Sequence, residues 1–68
     1  MTDAAPATIL VVEDDASLNA ALCATLRAAG YRPVAARSAA EGMRWFAHYG
    51  PDLVVLDLGL PDLDGGTL

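Results

Sequence analysis

The sequence predicts an α/β fold: three parallel strands in the order 2-1-3, with one helix on each face. Three observations predict it. Short runs of branched aliphatic residues alternate with stretches of helical periodicity, giving strand, helix, strand, helix, strand. The runs at 9–12 and 53–56 are apolar without a break, the pattern of strands buried on both faces. The middle run, 32–36, carries Pro33, which cannot donate to a ladder and belongs at an edge. The two apolar strands then lie side by side, and right-handed crossovers put the helices on opposite faces.

Each element has its own reason. Residues 1–7 are small and polar with a proline, and read as a loose tail. "ILVV" at 9–12 is the first strand, and it stops abruptly at Glu13-Asp14-Asp15. Residues 16–29 form the first helix, with Leu18, Leu22, Leu26 and Ala29 as its apolar stripe and Ala21 and Thr25 alongside. Asp15 is its N-cap, and Gly30 takes the left-handed position that ends it. "RPVAA" at 32–36 is the second strand. Ser38-Ala39-Ala40-Glu41 has the S-x-x-E capping-box pattern and opens a second helix to about Tyr49. Ala40, Met43, Phe46 and Ala47 share one side of it, and Gly50-Pro51 stops it. "LVVL" at 53–56 is the third strand, buried by pattern and ending in Asp57, and a loop follows.

The chain has 68 residues, enough for one small domain that buries ~60% of its unfolded surface. It is 54% hydrophobic, with a mean hydropathy of +0.37. Such an apolar short chain expects a partner layer for some of its surface. The net charge is −5, and all four basic residues are arginines. No basic patch is available for phosphate backbones, which argues against direct nucleic-acid binding. Cys23 is the single cysteine, so no disulfide framework or zinc-type cysteine cluster can be built, and it reads as a small hydrophobe of the first helix. The N-terminal residues lack the charged and apolar regions of a signal peptide, and no apolar run is long enough to cross a bilayer. A cytoplasmic protein with no membrane association is the expectation.

In a sheet of order 2-1-3 the direction of strand growth reverses between strands 1 and 3. Ligands bind at such a switch point, beyond the carboxyl ends of the strands. Both strands end there in acids: Glu13-Asp14-Asp15 on one and Asp57 on the other. Like charges so close raise one another's pKa unless a cation joins them. Oxygen donors without histidine or cysteine nearby suit Mg²⁺ better than zinc. A carboxylate held at the tip of a rigid strand beside a metal can be a nucleophile toward a phosphoryl group. Asp57 as a plain surface acid or cap does not explain the aliphatic run behind it or the partner acids.

"ILVVEDD", a helix ending in "AAGY", and "PDLVVLDLGLPDLDGG" together resemble the first half of a response-regulator receiver domain. The wording "DLGLPDLDG" is most similar to the OmpR/PhoB-type transcription factors of two-component systems. The resemblance spans about residues 8–68 and implies a truncated flavodoxin-like fold, with the chain ending in the loop after the third strand. It implies that Asp57 accepts a phosphoryl group from a sensor histidine kinase. It implies that Glu13, Asp14 and Asp57 hold Mg²⁺ together with the backbone carbonyl of Gly59. Pro61 and the Asp64-Gly65 turn match the family's loop after the phosphorylated strand. The resemblance implies a phosphoacceptor module rather than an enzyme. Family members carry a Thr or Ser and a Lys on later strands, and this sequence has no lysine. An impaired half-receiver is therefore expected, with its output domain and switching surface missing.

Other readings compete. "DLDGGTL" at 62–68 resembles the nucleophile motif of haloacid-dehalogenase-type phosphatases, but Asp62 has no buried strand behind it and the motif has an extra glycine. A non-catalytic fragment or interaction module is the other alternative, with self-association through the exposed edge of the third strand. Asp15 is read as a cap rather than a ligand, and Asp62 and Asp64 as turn formers. His48 suits the last turn of the second helix, and Trp45 and Tyr49 are expected to cover the sheet.

Overall fold

The structure, a computed structural model, describes residues 5–57. The elements are β1 (Thr8–Val12), α1 (Ala16–Ala28), β2 (Arg32–Ala36), α2 (Ala39–Tyr49) and β3 (Leu53–Leu56). The strands form one parallel sheet in the order β2-β1-β3. Val12 lies opposite Ala36 on one side and Leu56 on the other. Pro33 stands in β2, paired with Ile9, and among the described residues β2 has no neighbour but β1. The predicted strand order and the edge position of the proline strand therefore hold.

Burial follows from the two-residue period of β1. Ile9 and Val11 point to one face and pack with Cys23, Leu22 and Leu26 of α1. Leu10 and Val12 point to the other and pack with Ala36, Ala39, Val34, Trp45 and Leu56, beneath α2. The helices thus lie on opposite faces, and β1 is buried on both. Each of its aliphatic side chains contributes about 1.5–3 kcal/mol relative to leaving it in water.

The helix ends carry the expected caps. The Asp15 carboxylate accepts from the Leu18 N–H at 2.9 Å. After α1 the Tyr31 N–H donates to the Leu26 carbonyl across Gly30, whose φ is +96°. At α2, Ser38 Oγ accepts from the Glu41 N–H, and Glu41 Oε1 reaches back to the Arg37 N–H at 2.8 Å. Gly50, at φ +57°, closes the helix.

Four sequence expectations are corrected. The inner face of α1 is centred on Asn19 and Cys23; Leu22 and Leu26 flank it, while Leu18 and Ala29 are exposed. A polar residue occupies the deepest position because it bonds strand-end carbonyls, so the leucine stripe is rotated to the side. In α2 the inner residues are Ala39 and Gly42, with Trp45 half-buried; Ala40, Met43, Phe46 and Ala47 are exposed. Small residues let this helix settle close to β1, where a Cβ on Gly42 would lie 2.9 Å from Val12 Cγ2. Finally, β3 is not buried on both faces: Leu53 is 57% exposed and Val54 and Val55 37%. Both helices pack over β1 and β2, and neither lies over β3. Tyr49 is also exposed, its ring against His48 and Trp45 rather than on the sheet.

Candidate functional site

The strand register builds the site. The ladder continues one step past each strand end: the Glu13 N–H donates to the Ala36 carbonyl at 3.0 Å, and the Asp57 N–H to the Val12 carbonyl at 3.1 Å. Because Val12 pairs with Leu56, the next residues of the two strands, Glu13 and Asp57, become neighbours at the carboxyl end of the sheet. The turn into α1 brings Asp14 to the same place. Carboxylate oxygens of Glu13, Asp14 and Asp57 lie within 4.8 Å of one another. Glu13 is buried, Asp57 half-buried and Asp14 exposed, so the group opens to solvent on one side. Asp15 stands outside it, occupied as the α1 cap. Gly59, the fourth expected ligand, lies outside the described residues, as do Pro61, Asp62, Asp64 and Gly65.

The electrostatics record the crowding. The Glu13 carboxyl is held above its ordinary value of 4.5. The main cause is a hydrogen bond with Asp57, which needs a proton on one of the two acids. Desolvation adds to the shift, as do Asp14 and the Asp57 charge, and the Asp15 backbone N–H opposes it. Three converging carboxylates with hard oxygen donors and an open side fit a divalent cation such as Mg²⁺, which would remove the repulsion that now raises Glu13.

Two residues that sequence reasoning missed hold the acidic turn. Asn19 Nδ2 donates to the Glu13 carbonyl at 3.0 Å and to the Ala36 carbonyl at 2.9 Å. The Arg37 guanidinium, just beyond β2, donates twice to the Asp14 carbonyl, at 3.2 and 2.9 Å. The signal for Asn19 was present in its spacing: an amide four residues before Cys23, on one helical face, is a polar group in the buried stripe. Arg37 gave no such signal, since its role depends on the tertiary approach of β2 to the β1 turn.

A parallel α/β sheet with carboxylates converging at its switch point defines a class of small domains whose chemistry sits beyond the strand ends. Within that class, the model of the response regulator receiver domain matches residues 9–68, and the chain belongs to that family. It is 40% identical over 57 residues to the transcriptional regulatory protein KdpE of Mycobacterium tuberculosis, covering 84% of this chain and 25% of that protein. Over the same span and shares it is 39% identical to the transcriptional regulatory protein AfsQ1 of Streptomyces coelicolor. The virulence transcriptional regulatory protein PhoP of Salmonella typhimurium is 42% identical over 60 residues, 88% of this chain and 27% of PhoP. The chain spans about a quarter of the length of these relatives. The matches agree with the OmpR/PhoB-type likeness read from the sequence. None of the described helices is long and apolar enough to cross a membrane.

Proposed function

We propose that this chain is the phosphoacceptor module of a two-component relay, in which Asp57 takes a phosphoryl group from a phosphohistidine of a sensor kinase. The convergence of Glu13, Asp14 and Asp57 at the end of the sheet carries this reading, and family membership supports it. An Asp57 carboxylate oxygen attacks phosphorus, the P–N bond to the kinase imidazole breaks, and an acyl phosphate forms on Asp57. Glu13 and Asp14, with Asp57 and the Gly59 carbonyl, would hold Mg²⁺, which offsets repulsion between the carboxylate and the phosphoryl oxygens. Burial of Glu13 and the ladder bond of the Asp57 N–H keep the carboxylates in place, so little reorganisation accompanies transfer. The protein acts as substrate of its kinase in the cytoplasm, without contacting nucleic acid itself. The exposed aliphatic edge of β3 favours self-association as a second property of the 68-residue chain.

Incubation with a small phosphodonor such as acetyl phosphate, with and without Mg²⁺, tests the assignment. A Mg²⁺-dependent, hydroxylamine-labile phosphate on Asp57, absent from Asp57→Asn, is expected. These residues include no lysine to contact the phosphoryl oxygens, and loss of one such donor typically slows transfer by ~10²–10³, so labelling should be slow. Equal labelling of Asp57→Asn would end the reading.

A further inference from the structure

Asn19 is a buried polar side chain that the phosphoacceptor chemistry does not use. It is only 3% exposed, deeper than any leucine of α1. Its amide nitrogen is spent on the acidic turn and the strand end beside it. Nδ2 spans the Glu13 and Ala36 carbonyls, and Oδ1 accepts from Cys23 Sγ at 3.4 Å. The Ala36 carbonyl also accepts the Glu13 N–H. Asn19 thus closes a small ring: the residue carrying the buried carboxylate is tied to the end of β2 once through its own N–H and once through its carbonyl by way of Asn19. A side chain serving only to fill the core would need no polar atom there, and without Asn19 the Glu13 carbonyl would lose this donor while the Ala36 carbonyl kept the Glu13 N–H.

We propose that Asn19 is the positioning residue of the acidic site. It fixes the peptide between Glu13 and Asp14, and so the direction in which their carboxylates meet Asp57, without touching an ion or a phosphoryl group. The inference rests on reading Glu13, Asp14 and Asp57 as the Mg²⁺ and phosphoacceptor site. Groups that support a metal site from outside its ligands typically change affinity by about 10–100-fold when removed. Arg37 holds the next carbonyl from the exposed side, where water can replace it; nothing replaces Asn19.

Three variants of the full chain test this. Asn19→Leu keeps the γ-branched shape, at a somewhat larger volume, and removes the donor. Asn19→Ser keeps one hydroxyl donor and serves if the leucine variant does not fold. Leu26→Ala removes packing one turn beyond Cys23 on the same helix and leaves the turn alone. Two readouts are taken: Mg²⁺ affinity, and hydrogen exchange of the Glu13 amide relative to those of Val11 and Asp57. Asn19→Leu is expected to weaken Mg²⁺ binding at least about tenfold and to speed Glu13 exchange selectively. Asn19→Ser should fall between it and wild type, and Leu26→Ala should leave affinity unchanged. Unchanged Glu13 exchange in the Asn19 variants, or a loss of affinity in Leu26→Ala equal to theirs, would overturn the proposal. If wild type itself shows no Mg²⁺ response, the metal assignment fails instead, and Asn19 is judged by exchange alone.

Discussion

Glu13 illustrates what a single residue contributes when it ends a buried strand. Its backbone extends the β1–β2 ladder while its carboxyl is pressed against Asp57. The folded chain therefore holds the Glu13 proton more tightly than the unfolded chain, for which 4.5 is the ordinary value. Where the folded state binds more protons, stability falls as pH rises. Glu13 thus opposes folding at pH values above its raised value, and that cost disappears as pH drops towards 4.5. Urea unfolding of wild type and Glu13→Gln should converge in stability on acidification through this window, with the glutamine variant the more stable at neutral pH. Saturating Mg²⁺ should shrink the difference by stabilising wild type selectively. A wild-type advantage at neutral pH without metal would contradict the account. Asp57 was legible from sequence because an aliphatic run ending in an acid is costly without a use. The partners of Asn19 and Arg37 were not, because they are backbone carbonyls on other elements, even though the spacing of Asn19 from Cys23 set a polar group on that helical face.

At the scale of elements, caps were legible and inner faces were not. Asp15, Gly30, Ser38 and Gly50 all stand where local rules place them, since a cap depends on residues within one turn. Asp15→Ala should cost about 1 kcal/mol, read by urea unfolding, because the Leu18 N–H loses its acceptor. The face a helix buries depends on how closely its backbone can approach the sheet. In α2 the answer was Gly42, not the larger Met43 and Phe46. An alanine there gains about 1 kcal/mol in helix propensity. It also drives a methyl to 2.9 Å from Val12 Cγ2, a stiff β-branched side chain inside the core. Overpacking of this kind costs about 1–3 kcal/mol. Gly42→Ala is therefore expected to lower the urea midpoint; a raised midpoint would show that α2 can move outward without loss.

The molecule as a whole is asymmetric. Its helices cover β1 and β2, while β3 pairs with β1 along one edge and stays exposed on both faces. Val54 lines a cleft with Met43 and Phe46, Leu53 and Val55 are exposed as well, and an aliphatic edge of this kind templates pairing with another strand. Sedimentation of the 68-residue chain should show concentration-dependent self-association that Val55→Lys suppresses; a monomer at all concentrations would exclude it. The sequence by itself determined the order of elements, the parallel sheet with strand order 2-1-3, and the meeting of Glu13, Asp14 and Asp57. Those features depend on local period, on chain handedness and on strand ends, all of which are written in neighbouring residues. Only the tertiary structure decided which helix faces turn inward, that β3 lies uncovered, and that Asn19 and Arg37 hold the acidic turn. Those features depend on distances between segments far apart in the chain, where a glycine against a valine or an amide between two carbonyls outweighs the pattern of apolar residues.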